Sequence, residues 1–163
     1  MMNKQDIYEL LRSRGMWHEI TEHPAVYNMA EMGEVALPYP EADAKNLFVR
    51  DDKRRNYYLI TVRGDKRVDL KEFKKKQGTR SLTFASSEEL MQFLKLTPGG
   101  VTPLGLLNDE ECRVKLYLDN YFMEEPRLIG VHPNDNTATV AMKTADLITL
   151  LREHGSEIDI VEI

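Results

Sequence analysis

Lys45-Asn46, the run Pro98-Gly99-Gly100-Val101-Thr102-Pro103, and His132-Pro133 are the residues of this chain whose types could do chemistry together. Lysine and asparagine offer donors, a glycine pair exposes backbone N–H groups, and histidine can donate or accept near neutral pH. Such a set suits a polarised carbonyl or an ester, whose developing oxyanion needs fixed donors. It does not suit a metal, because His18, His23, His132 and His154 lack a ligand spacing such as His-x-x-x-His and the single Cys112 excludes a cysteine cluster. Cys112 follows Asp109-Glu110-Glu111, an acidic setting that raises a thiol pKa rather than activating it. No Gly-x-Gly-x-x-Gly or phosphate-loop motif is present, so no nucleotide cofactor is expected, nor any other.

These pieces are far apart in the chain, so secondary structure must assemble them. Ile7, Leu10 and Leu11 at helical spacing predict a first helix over residues 4–14, stopped by Gly15. His18 to His23 reads as a short strand ended by Pro24, and Met29 to Leu37 as a weak helix closed by Pro38 and Pro40. The clearest hairpin joins Leu47-Phe48-Val49 to Tyr57 through Val62, with a charged turn from Asp51 to Arg55. Tyr57 and Tyr58 alternate across their strand, so one belongs to the core and the other, Tyr58, is a candidate substrate contact. Two helices follow, one capped by Asp69 and ending near Gly78, the other from Glu88 to Leu96 with a Ser-and-Glu start at residues 86–89. Strands Val114–Leu118, Leu128–His132 and Thr137–Met142 come next, with Asn134-Asp135-Asn136 as the turn between the last two. Thr144 opens a final helix, and Ile158–Val161 is a last strand. The expected class is α/β in the mixed α+β sense, a central mixed sheet with helices packed on it, in one domain spanning 1–163.

The chain has 163 residues, 42% of them hydrophobic, within the range of one domain with a sizeable core. Its N-terminus lacks a signal-peptide plan, and no apolar run approaches the roughly 18 to 20 residues that span a bilayer, so a soluble cytoplasmic protein is expected. The net charge of −5 argues against bulk binding of nucleic acid, and no DNA or membrane partner is expected. Yet Lys45 to Arg80 holds thirteen Lys or Arg against five Asp or Glu, a local +8 on which a polyanion could dock. The duller reading is a solvated basic helix at Lys71–Lys76. No heptad or exposed apolar stripe announces an oligomer, so a monomer is expected.

The motifs Glu22-His23-Pro24-Ala25-Val26, Lys45-Asn46-Leu47-Phe48-Val49-Arg50-Asp51, Val68-Asp69-Leu70-Lys71, Leu82-Thr83-Phe84-Ala85-Ser86, Pro98 to Leu106, and His132 to Val140 together resemble the YbaK-type aminoacyl-tRNA deacylases. Within them the resemblance is to the free-standing prolyl-tRNA editing branch, related to the editing insertion domain of bacterial prolyl-tRNA synthetase, and it covers nearly the whole chain. It implies hydrolysis of the ester of mischarged proline tRNA, alanine being the amino acid it favours, with prolyl-tRNA synthetase as a further partner. Carried over by motif, Lys45, Asn46, Gly99, Gly100 and His132 are implied as catalytic, with the loop N–H groups at Gly99 and Gly100 as oxyanion donors. Val101, Thr102, Pro103, His23 and Tyr58 are implied to contact the substrate, and Arg54, Arg55, Lys71, Lys74 and Lys75 to meet the tRNA. Thr102 stands where serine is frequent in the family, a small departure. Each residue keeps a structural alternative at this point: Lys45 as a solvated lysine, His23 and His132 as strand ends, Gly99-Gly100 as a plain turn. A non-catalytic module that binds charged tRNA, or a deacylase of cysteine or serine esters, also remains open.

Overall fold

The computed structural model describes residues 1–25, 29–32 and 35–163, with the backbone alone at Met29 and Met32. Val26 of the first motif lies outside the described residues. Helix α1 (Lys4–Ser13) begins with a reciprocal cap between Asn3 and Asp6 and buries Ile7 and Leu11. Strand β1 (His18–Glu22) follows, then α2 (Met29–Met32), the described start of the expected helix 29–37, of which residues 33 and 34 lie outside the described set. The hairpin pairs β2 (Ala44–Asp51) with β3 (Tyr57–Arg63). Its turn is organised by the fully buried Asp51, whose carboxylate accepts from the Lys53 and Arg55 N–H groups at 3.1 and 2.9 Å and from the Asn56 amide at 2.8 Å.

Helix α3 (Leu70–Gln77) is capped by Asp69 and stopped by Gly78 at φ 70°, a left-handed position that glycine adopts at no steric cost. A short strand β4 (Leu82–Phe84) that the sequence pattern does not announce separates α3 from α4 (Ser87–Leu94), which Ser86 and Glu89 cap reciprocally. A 3₁₀ segment, Pro103–Asn108, then leads to β5 (Val114–Asp119), β6 (Leu128–Val131), β7 (Ala138–Lys143), α5 (Thr144–His154) and β8 (Ile158–Val161). No described helix is long and apolar enough to cross a membrane.

The mixed α/β class stands, with the strands divided between two sheets. Five form a mixed sheet in the order β4-β2-β3-β5-β8, and three form an antiparallel sheet in the order β1-β7-β6. The main core lies between them: Phe48, Leu59, Leu116 and Leu118 of the larger sheet face Ile129, Val131, Val140 and Met142 of the smaller, with α1, α4 and α5 closing the sides. On the outer face of the larger sheet, Phe73 of α3 packs on Val49, Ile60, Val62 and Tyr117. Burying that one phenylalanine contributes about 2–3 kcal/mol, which fixes α3 to the sheet while its lysines stay in water.

The two sheets touch along one edge of β2. Near its start, Asp43 makes a parallel bridge with Gly130 of β6, whereas from Val49 to Asp51 the same edge is taken by β4. Two strands cannot share one edge, so β6 diverges from β2 just after the bridge. The chemistry-bearing residues gather at that divergence.

Candidate active site

Residues bridged across a sheet point to the same face, and side chains along a strand alternate. The Asp43–Gly130 bridge therefore sets Asp43 and Lys45 on the face that Gly130 and His132 occupy, with Asn46 on the opposite face. Since β2 begins at Ala44 rather than at the expected Leu47, Lys45 and Asn46 lie inside the strand and this alternation applies to them.

Asn46 sits opposite Thr61 in the β2–β3 register, accepts from the Thr61 hydroxyl at 2.6 Å and donates to the Val101 carbonyl at 3.3 Å. Each end of the Asn46 amide thus has a partner within the protein, which ties the glycine loop to β2 and leaves one N–H and one lone pair for the substrate contact that the resemblance implied. Thr102 ties the loop from the other side. Its hydroxyl donates to the carbonyl of His132 at 2.6 Å and caps the 3₁₀ segment through the Leu104 N–H at 3.4 Å. Thr102 and Pro103 are buried, which does not favour the substrate contact that the resemblance implied. The loop is strapped across the gap, to β2 through Asn46 and to the end of β6 through Thr102.

Within the loop, the Gly100 N–H donates to the Thr97 carbonyl at 3.0 Å, and Gly99 has φ 88°. Pro98 at the second position and a positive φ at the third are the marks of a type II turn. The Gly100 N–H is consequently not an oxyanion donor, and the plain-turn reading of the glycine pair accounts for it. Half-buried Val101 lies between the two straps.

His132 lies one residue beyond β6, with Nδ1 2.8 Å from the Ala138 carbonyl. A carbonyl can only accept, so Nδ1 carries the proton and the neutral ring keeps a lone pair on Nε2. Burial, followed by the bond to Ala138, which acts the other way, and the neighbouring His23, leaves its pKa below the ordinary 6.5. The His23 ring stands edge-on to it, centroids 6.1 Å apart. Both His23 nitrogens are occupied, one by the Pro24 carbonyl at 2.9 Å and one by the Thr139 hydroxyl at 2.9 Å, so His23 is a wall of the site with no free polar atom on its ring. The Lys45 ammonium donates to the carbonyl of Lys66, and no acidic side chain among the described residues pairs with it.

Tyr58 does not join this group. It lies on the face of β3 that packs under α3, its ring 5.5 Å from that of Tyr117, while Tyr57 is core, 4.2 Å from Phe93. The basic residues are exposed: Arg54 and Arg55 in the β2–β3 turn, Lys71, Lys74 and Lys75 on α3. Helix α3 covers the same face of the larger sheet that Lys45 shares with Leu47 and Val49, and it starts four residues after Lys66. Cys112 is apart from the site, its thiol pushed up by burial and by Asp109. Sequence reasoning missed Asp43, Thr61 and Thr139. The Asp43-x-Lys45 spacing was readable once the strand was extended by two residues, but the cross-strand partners were not.

A model of the aminoacyl-tRNA editing domain matches residues 23–150. The chain belongs to that family and is an aminoacyl-tRNA editing protein. It is 36% identical over 160 residues to the prolyl-tRNA editing protein ProX of Acetoanaerobium sticklandii, covering 98% of this chain and 97% of the relative. It is 34% identical over 142 residues to the prolyl-tRNA synthetase associated domain-containing protein 1 of Bos taurus, covering 85% and 82%. Among solved structures, the hypothetical protein APE2540 superposes with a TM-score of 0.68 at 19% identity, over 98% of this chain and 99% of that one. A structure provisionally described as a trans-editing enzyme for prolyl tRNA synthetase gives 0.67 at 20%, over 98% and 96%. At those identities the structural matches speak for the fold alone.

Proposed function

We propose that this editing protein hydrolyses the ester between proline tRNA and a wrong amino acid, alanine foremost, acting in the cytoplasm on tRNA mischarged by prolyl-tRNA synthetase. The observation that carries the reading is Lys45 and His132 on one face of diverging strands, with the glycine loop strapped across the gap between them. The names of the relatives supply the tRNA. The amino acid follows from size: a synthetic pocket shaped for proline cannot exclude a smaller side chain by more than a few kcal/mol, so alanine is the error that needs a second site.

In this mechanism the Lys45 ammonium leaves the Lys66 carbonyl for the ester carbonyl or the terminal phosphate. Loop N–H groups other than that of Gly100, at Gly99 and Val101, add to the oxyanion donors. Among the described residues no serine stands at this site, Thr102 is tied to the His132 carbonyl and Cys112 is remote, so water attacks directly. His132, neutral at pH 7 with Nε2 unprotonated, accepts the proton of that water or of the neighbouring ribose hydroxyl. The C–O bond to the tRNA breaks, a proton reaches the departing ribose oxygen, and free amino acid and uncharged tRNA result. The acceptor stem lies along α3, where Lys71, Lys74 and Lys75 meet phosphates on the face that carries Lys45, with Arg54 and Arg55 at the far end of the hairpin, about 20 Å along β2.

The test is single-turnover release from proline tRNA charged in turn with alanine, cysteine, serine and proline. Rapid loss of alanine with proline spared is expected. Loss of cysteine or serine instead keeps the reaction and changes the specificity, whereas tight binding with no release of any of them would replace the enzyme by a binding module.

A further inference from the structure

Asp43 is used neither by the loop straps nor by the proposed hydrolysis. It lines a small cleft with Thr21, Tyr39, Gly130, Thr139 and Ala141. The β1–β7–β6 register puts Thr21, Thr139, Ala141 and Gly130 on a single face, the one Asp43 faces across its bridge. At Gly130 a Cβ would stand 3.5 Å from the Ala42 carbonyl oxygen, the Asp43 Cα and the Thr139 methyl, so the floor of the cleft is closely packed backbone. Among the described residues, the only hydrogen bond that bears on the carboxyl's titration comes from the Ala44 N–H, and no cation pairs with it. The charged or titratable groups around it do not compensate it: Lys45 is drawn to Lys66, His23 is tied to Thr139 and Pro24, His132 donates to Ala138, and the Tyr39 hydroxyl donates to Glu19. Burial pushes its pKa up to about 6, so at neutral pH it is a desolvated anion without a counter-ion among the described residues.

We infer that Asp43 is the anchor for the α-ammonium of the aminoacyl ester. Two residues apart on one face of a strand, Asp43 and Lys45 carry their side chains about 7 Å from each other. An aminoacyl ester is a short molecule with a cation at one end and, two bonds away, a carbonyl that must be polarised. A carboxylate and an ammonium at that separation can hold both ends at once, and a charge-assisted hydrogen bond from the substrate would give the desolvated anion the counter-ion it lacks. The inference rests on the deacylase reading and adds to it the feature of the substrate that the site selects.

The experiment compares one proline tRNA charged with alanine and with lactate, which replaces the α-ammonium by a hydroxyl. Each single-turnover rate is divided by the spontaneous hydrolysis rate of the same ester. Wild-type protein is expected to favour the alanyl ester by roughly 10- to 100-fold, the loss expected for one charge-assisted hydrogen bond. In Asp43→Asn, with a normal circular dichroism spectrum, the ratio should fall to near one and the KM for the alanyl ester should rise, while Asp43→Glu keeps part of the preference. An unchanged ratio, or an equal fall in both rates, would overturn the inference and make Asp43 a general base or a structural residue. Should wild-type protein release neither acid, the deacylase reading fails. The ammonium anchor is then decided by affinity alone, which must favour alanyl over lactyl tRNA in wild type and lose that preference in Asp43→Asn.

Discussion

Replacing Thr102 by valine removes one hydroxyl from a site that is otherwise left the same shape, and so isolates the strap between loop and β6. Thr102 is fully buried, and its hydroxyl donates to the His132 carbonyl at 2.6 Å. Valine leaves that carbonyl without its partner, at a cost of about 1–3 kcal/mol. The second bond, to the Leu104 N–H at 3.4 Å, is long and adds little. Serine keeps the hydroxyl and gives up one methyl, about 1 kcal/mol of burial at most. The stability order, read from urea midpoints at constant m-value, is therefore wild type, then Thr102→Ser, then Thr102→Val. The kinetic consequence is larger than the thermodynamic one. Thr102 sets the distance between the glycine loop and His132, and a displacement of order 1 Å at a reacting centre can cost about 100-fold. Single-turnover deacylation of alanyl proline tRNA should fall about 10- to 100-fold in Thr102→Val and stay within a few-fold in Thr102→Ser. A valine variant that turns over at the wild-type rate, stable or not, would refute the claim that the strap positions the site.

Lys45→Ala should lower the single-turnover rate by at least about 100-fold with an unchanged circular dichroism spectrum, and an unchanged rate would remove the ammonium from the mechanism. Charge reversal of Lys71 and Lys74 together should weaken tRNA binding whatever the amino acid and reduce the slope of log K against log salt by roughly one for each phosphate no longer neutralised; equal slopes would move the RNA off α3. Asp43→Asn should alter stability in a pH-dependent way. The native carboxyl titrates at about 6 against an ordinary 3.8, so its favourable contribution is complete below about pH 4 and is lost as pH rises through 6. The variant should match wild type near pH 4 and exceed it by about 1–3 kcal/mol at pH 7.5, and a difference independent of pH would show that the carboxyl is well solvated.

Two helix starts were legible because capping chemistry is local: Asp69, and Ser86 with Glu89, each sit within one turn of what they cap. The hairpin was legible for the same reason, its turn residues and β-branched flanks being contiguous. The division into two sheets was not, because it depends on β4 and β6 competing for one edge of β2, and β4 is only three residues long. At the site, residue identity was legible and residue role was not. Asn46 and Thr102 were marked as polar residues of the right kind, but whether an amide or hydroxyl faces substrate or protein depends on Thr61, Val101 and His132, which are 15, 55 and 30 positions away.

The place where the strands part also explains why the site can hold groups that a continuous sheet would not. In a fully paired sheet, Asp43 and His132 would lie among ladder neighbours, with their polar atoms either solvated or matched. Here β6 leaves β2 after one bridge, and the gap is filled by a loop held by the Asn46 amide at the Val101 carbonyl, by the Thr102 hydroxyl at the His132 carbonyl and by its own Gly100–Thr97 bond. What remains on the Lys45 face, among the described residues, is a lysine without an acidic partner, a carboxylate without a cation and a histidine held neutral by burial. Each is costlier in the resting protein than its paired counterpart, and in the proposed mechanism each matches one part of an aminoacyl ester: carbonyl, ammonium and the attacking water. Stability given up at three neighbouring positions is the expected mark of a preorganised site, and the gain of stability predicted for Asp43→Asn at neutral pH, set against its loss of discrimination, measures that exchange at a single residue.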